Sequence, residues 1–257
     1  KKLFTNTAES FQKHLNDLTK DKYEIQIIQL SDYQKNYCDG NNCKPLQELK
    51  EGRIHLSSVY ANSLGLYGAT DFYALILPYI FESESHSDRI LTGHVGKKLL
   101  THLYDRTGIH GLGFNWIKIT KEFYPKTEFP RFYPSYPRFY PTGWFRRLEM
   151  EDKKMQEHNP IMNDMTDLIM SNILNVADAS HSTYLTTIVC NAEFMHSLSE
   201  HDKENFLEAS RRTSNVNKMA ESLSKHEIEK LREPWAPLYE KYMNYFSFDI
   251  IDEIKNG

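Results

Sequence analysis

Residues 123–142, FYPKTEFPRFYPSYPRFYPT, hold five of the chain's ten prolines and repeat Phe-Tyr-Pro three times. A proline supplies no backbone N–H and pushes the residue before it toward extended geometry. Neither a helix nor an interior strand runs through such a segment. It reads as an extended connection that divides the 257 residues into a part before it and a part after it. It also contains RFYPSYP, an Arg-x-x-Pro-x-x-Pro pattern of the kind that Src-homology-type domains bind. The aromatic side chains beside the prolines favour a packed linker instead.

Before the connection, the chain alternates between two periodicities. Phe11, Leu15 and Leu18 recur at helical spacing, and YEIQIIQL then offers a short strand. PLQELKEG predicts a helix closed by Gly52, and IHLSSVY a strand. After the apolar run FYALILPYIF, a helix carries Val95, Leu99 and Leu103 on one face and stops at Gly108, and IHGLGFNWI reads as a buried strand. Strands alternating with helices predict βαβ units and a mainly parallel sheet.

After the connection the signals are sparser. A Met-rich stretch to Ile173 is helical in part, and STYLTTIVCN alternates like a strand. Ser199 with Asp202 opens a long amphipathic helix to about Leu231, whose buried stripe is Val216, Met219, Ala220 and Leu223. Pro234 and Pro237 end it, and the Tyr-rich LYEKYMNYFSF predicts a final helix.

Composition narrows the function. At 40% hydrophobic and 26% charged residues, the chain has the profile of a folded globular protein. With 31 Lys and Arg against 35 Asp and Glu, the net charge of -4 argues against a nucleic-acid partner. The longest apolar run, Phe72 to Phe81, is ten residues and contains Pro78. That is about half of the ~20 residues a membrane helix needs, so no insertion into a membrane is expected. Lys1 is followed by no apolar run, so the expectation is a secretory signal already removed or never present. Cys38 and Cys43, in YCDGNNC, read equally as a small disulfide loop or as two free thiols, and Cys190 as a buried small hydrophobe.

The usual chemical signatures do not assemble. Histidines 94, 102 and 110 invite a metal site but lack the spacing of one helical turn, so no metal and no cofactor are expected. Gly108, Gly111 and Gly113 stand in the reverse of the order a dinucleotide fingerprint needs and read as turn glycines. No Gly-x-Ser-x-Gly elbow and no Gly-x-x-x-x-Gly-Lys loop occurs. What remains is cationic: Arg146 and Arg147 follow an aromatic pair in GWFRR. A guanidinium matches a carboxylate with two parallel hydrogen bonds, but on the residues alone a solvated charge pair fits as well.

The run from Leu49 to Phe114 resembles the first lobe of the solute-binding proteins of tripartite ATP-independent periplasmic (TRAP) transporters. The family's Leu-x-x-Gly-x-Ile, Leu-Pro-x-x-Phe and Gly-Ile-x-x-Leu elements are matched at Leu49 to Ile54, Leu77 to Phe81 and Gly108 to Leu112. VADASHSTYLTTIVCNAEFMHSLSEHDKENFLEAS is similar to the family's return strand and the helix after it, and NPIMNDMTDLI to its Asn-Pro-x-x-Met stretch. GWFRR fits the family's Gly-x-Lys-x-Arg element with Phe145 in the Lys position. The chain departs from the family before Asp178, where the Gly-x-x-Asp-Gly strand has no counterpart.

The resemblance implies an α/β, two-lobed periplasmic-binding-protein clamshell with mainly parallel sheets and a long C-terminal helix. Lobe I is expected over 1–120, completed by part of 185–232, with a smaller lobe II over 121–184 and C-terminal helices, 199–257, packing across the lobes. It implies an extracytoplasmic, periplasmic protein, not an enzyme, that captures a small organic acid between its lobes and delivers it to TRAP membrane subunits. Arg147 is then the carboxylate clamp and Lys118 a second cation, with Tyr60, Phe72, Asn115 and His181 as wall residues. Two rivals stay open: a degenerate or sensory module of the same fold, and a hydrolase using His181 with Asp178 and a nucleophile at Ser180 or Ser182.

Overall fold

In the computed structural model the described residues are 2–29, 45–121, 160, 161, 164, 181–214 and 224–257. The elements in chain order are α1 Lys2–Thr19, α2 Pro45–Lys50, β1 Leu56–Tyr60, 3-10 turns at Ala61–Tyr67 and Thr70–Ile76, α3 Glu84–Thr92 and α4 His94–Thr107. There follow β2 Ile109–Lys121, β3 His181–Asn191, α5 Ala192–Ser197, α6 Glu200–Arg212, α7 Lys225–Arg232, a 3-10 turn at Glu233–Trp235, α8 Ala236–Tyr242 and α9 Ile250–Asn256. The chain forms two compact units. The first takes Lys1–Ala61, Leu91–Ile117 and Leu185–Val216, and the second Asn62–Ile90, Lys118–Tyr184 and Asn217–Gly257.

Among the described residues the first unit is built on a three-stranded sheet in the order β1-β3-β2. β1 and β3 are antiparallel, with Leu56 opposite Cys190 and Tyr60 opposite Thr186. A parallel pairing was expected from the alternation of elements. β3 joins β1 from far along the chain rather than through one helical crossover, so the βαβ rule does not govern this pair. Phe11 and Leu15 of α1 meet Ile188 and Cys190 of β3 and Phe206 and Ala209 of α6 in one apolar cluster. Phe206 sits edge-on to Phe11, Tyr23 and Phe194, at centroid distances of 6.1, 5.3 and 5.7 Å. Cys190 is fully buried, as its apolar run implied, and burial pushes its thiol up to about 12.

Several local readings are sharpened. Val95, Leu99 and Leu103 are buried along α4, and Gly108 ends the helix at φ +68°, returning its N–H to the Tyr104 carbonyl at 2.8 Å. Gly111 and Gly113 are not turn glycines but lie within β2. YEIQIIQL forms no strand among its described residues, although Tyr23 and Ile25 still pack on the cluster and Gln12 Nε2 donates to the Ile25 carbonyl at 2.8 Å. Its alternation marks a half-buried extended segment without a ladder partner.

The second unit carries the 3-10 turns and the C-terminal helices. Phe72, Leu75, Ile80 and Phe81 are buried there, as are Trp235, Leu238, Tyr242, Ile250 and Ile254. α9 packs on the turn Thr70–Ile76. Ser199 caps α6 as expected, accepting from the Asp202 N–H at 3.1 Å. That helix ends at Arg212 instead of running to Leu231, and α7 starts afresh with its own capping box at Ser224 and Glu227. Pro234 and Pro237 occupy first-turn positions, where a missing N–H costs nothing, so they open elements rather than only closing one. The Tyr-rich tail divides into α8, a turn and α9. The stripe Val216, Met219, Ala220 and Leu223, the Cys38 to Cys43 loop and the segment 123–142 lie outside the described residues.

Candidate functional site

Arg147 lies outside the described residues, as do Asp178 and Ser180. Lys118 falls in β2, and His181 and Ser182 open β3, with side chains that are likewise outside them. The structure therefore describes Tyr60, Phe72 and Asn115. Tyr60 ends β1 opposite Thr186 in the first unit. Asn115 belongs to the first unit and Phe72 to the second, and both are fully buried.

Asn115 is a bracket between strand and helix. Its Nδ2 donates to the Ser210 carbonyl at 2.7 Å and to Ser210 Oγ at 2.8 Å, and its Oδ1 accepts from the Ile188 N–H at 2.8 Å. Both amide hydrogens are thus used within the unit, joining β2 to α6 and to β3. Asn191 plays a similar part at the end of β3. It caps α5 by accepting from the Phe194 N–H at 2.8 Å, and it donates to the Leu49 carbonyl at 2.7 Å.

Two groups that the sequence reading passed over stand on the Tyr60 face of the sheet. Strand side chains alternate, so Leu56, Ser58 and Tyr60 share a face with Cys190, Ile188 and Thr186 opposite them. The Leu56 end of that face is apolar and packed. At the Tyr60 end, Ser58 Oγ and Thr186 Oγ1 are shielded from solvent and make no hydrogen bond among the described residues. A shielded hydroxyl without a partner costs about 1–3 kcal/mol, which marks these two among the described residues. The available signal was the period of two: Leu56 on the core face places Ser58 there as well.

In the second unit the Leu-Pro-x-x-Phe element is held from the C-terminal helices. Arg232, 5% exposed, donates to the carbonyls of Tyr79 at 2.9 Å and Ile80 at 3.2 Å. Tyr239 Oη donates to the Pro78 carbonyl at 2.8 Å. Tyr79 has φ +58°, a left-handed conformation costly for a non-glycine residue, and the two carbonyl ties bracket it. Nearby in sequence, buried Asp71 accepts from the Ser247 N–H at 2.8 Å and from the Ser247 hydroxyl. The Arg232 guanidinium is thus committed to two backbone carbonyls and Glu229, and the Asp71 carboxylate to the amide and hydroxyl of Ser247.

Among the described residues no three His, Cys, Asp or Glu side chains gather to hold a metal ion. No described helix is long and apolar enough to cross a membrane.

Residues 1–128 match the family described as bacterial extracellular solute-binding protein, family 7. No curated protein matches. Among solved structures, a TRAP periplasmic solute-binding protein from Bordetella bronchispeptica, with density assigned to pantoate, is 16% identical. It aligns over 98% of this chain and 94% of its own with a TM-score of 0.61. One from Polaromonas sp. bound to D-erythronate is 15% identical over 98% and 94% of the two chains, TM-score 0.60. A third, from Shewanella oneidensis with bound succinate, is 14% identical over 97% and 93%, TM-score 0.60. These likenesses show the α/β fold of TRAP periplasmic solute-binding proteins. By the match over residues 1–128 the chain belongs to the bacterial extracellular solute-binding proteins of family 7, and over nearly its whole length it has the fold of TRAP periplasmic solute-binding proteins.

Proposed function

We propose that the protein captures a small organic carboxylate and hands it to TRAP membrane subunits, without catalysing a reaction. The family match over residues 1–128 carries this reading. The carboxylates named for the similar structures, pantoate, D-erythronate and succinate, support the ligand class. Arg147 is the clamp, because a planar guanidinium binds both carboxylate oxygens at once. Lys118 supplies a second positive charge and His181 a polar wall. Tyr60 contributes its ring, and Ser58 and Thr186, whose hydroxyls have no partner among the described residues, supply the polar contacts beside it. Phe72 and Asn115, fully buried, act within the cores of their own units rather than by touching the ligand.

A ligand that binds only the native state stabilises it by RT ln(1 + [L]/Kd), about 2.7 kcal/mol at a hundredfold excess over Kd. A thermal-shift screen of hydroxy, keto, dicarboxylic and sugar acids should therefore raise the melting temperature with at least one. No shift with any acid would favour a degenerate module of the same fold over this reading.

A further inference from the structure

Three elements of the first unit bring Tyr104 of α4, His110 of β2 and His196 of α5 together. The two imidazole Nε2 atoms are 3.3 Å apart, and Tyr104 Oη lies 3.4 Å from His196 Nε2. The Tyr104 ring stacks on His110 at 4.2 Å and 24°, and the two imidazoles meet at 5.2 Å and 83°. The proposed carboxylate function uses none of these side chains, and 86 residues separate the two histidines in sequence.

The separation of the ring nitrogens is informative. Zinc binds imidazole nitrogen at about 2.0–2.1 Å, and two such ligands at the tetrahedral angle stand about 3.3–3.4 Å apart. The observed 3.3 Å is therefore the spacing of two nitrogens on one cation as well as that of a hydrogen-bonded pair. Stacking on Tyr104 fixes the His110 ring in place, and His196 is exposed, so an ion reaches the pair directly from solvent. The neighbouring cation Lys203 is held by Glu200 Oε1 at 2.6 Å, which offsets its charge.

We propose that His110 and His196 form a two-imidazole site for a borderline divalent cation such as Zn²⁺ or Ni²⁺. Each binds through Nε2, Tyr104 Oη lies beside the site, and water fills the remaining positions. Imidazole suits these ions, whereas Mg²⁺ and Ca²⁺ demand oxygen ligands. A bound ion would link β2 and α5 of the first unit, beside α4.

The test is titration calorimetry of the chelator-treated full chain with zinc chloride, nickel chloride and magnesium chloride. The wild type and His201→Gln, a change at an exposed histidine elsewhere on α6, should bind one Zn²⁺ or Ni²⁺ alike. His110→Gln and His196→Gln should each weaken that binding at least about tenfold, the loss of roughly 1.4 kcal/mol. Magnesium should give no binding heat. His196 is exposed, so His196→Gln keeps the fold, as an unchanged circular dichroism spectrum would verify, and it carries the test if His110→Gln does not fold. Failure of the wild type to bind either ion, or undiminished binding by His196→Gln, overturns the proposal. The outcome is independent of the carboxylate screen.

Discussion

The two units solve the same problem, fixing irregular chain to regular elements, with different chemistry. In the first, an apolar cluster around Phe206 joins α1, β3 and α6, and its buried polar brackets, Asn115 and Asn191, are neutral amides. In the second, the loop Leu77 to Phe81 is tied by a buried guanidinium and a buried phenol reaching back from α7 and α8. A sheet and its helices satisfy most of their own backbone, so packing and a few amides suffice. A proline-containing loop between a 3-10 turn and a helix satisfies only part of its own carbonyls, and long side chains from distant segments take up others. Strength in the first unit should therefore follow apolar volume, and in the second, directed hydrogen bonds.

The largest expected effect is at the hub of the first unit. Phe206→Ala should cost about 4 kcal/mol, by lost transfer and an unfilled cavity, as measured by urea unfolding. Hydrogen exchange should accelerate in α1 and α6. Arg232→Met, which keeps much of the side-chain volume but no donors, should cost about 3 kcal/mol, since hydrogen bonds from charged groups are worth about 1.5–3 kcal/mol each. Its faster exchange should centre on residues 77–81. Equal acceleration throughout both units in both variants would erase the contrast between them. Asn191→Ala is smaller, about 2 kcal/mol, from a lost helix cap and a stranded Leu49 carbonyl.

The smallest effect is electrostatic and belongs to the first unit. The Lys22 ammonium and the Ser199 hydroxyl hold the Asp202 carboxyl down at about 2, and Arg211 and Arg212 hold Glu208 at about 2. Both folded-state values lie below those of the unfolded chain. Their stabilisation is therefore complete above roughly pH 4–4.5 and is lost as the pH falls toward 2. Urea midpoints measured from pH 5 to 2 should decline in that window, and Asp202→Asn should flatten the decline. A midpoint that stays constant down to pH 2 would remove these ion pairs from the account of the first unit.

Much of this was legible in the residues, and the gaps have physical causes. The helix over Val95, Leu99 and Leu103 and its stop at Gly108 needed only local rules. So did the Ser199 cap and the burial of Cys190. The direction of β3 against β1 did not follow, because strand alternation encodes a face and not a partner. YEIQIIQL shows the same limit, since its period of two is real but pairs with no strand among the described residues. The roles of Asn115 and Arg232 depend on partners 95 and 153 residues away, which no window along the chain contains. For the site, the family element in GWFRR points to Arg147, and Lys118 is suggested by its place on the strand that leaves the first lobe; both side chains lie outside the described residues. The hydroxyls of Ser58 and Thr186, without a partner among the described residues, emerged only once the β1 and β3 register was known.

The central claim, that this chain binds an organic carboxylate through Arg147, is tested most directly by titration calorimetry with the acid that emerges from the thermal-shift screen. Arg147→Lys keeps the charge and loses the planar fork, so it should weaken binding by at least about tenfold, roughly 1.4 kcal/mol. Arg146→Lys, at the position that the period of two expects on the opposite side of GWFRR, should bind as the wild type does. Equal losses at the two positions, or a loss at Arg146 alone, would contradict the clamp.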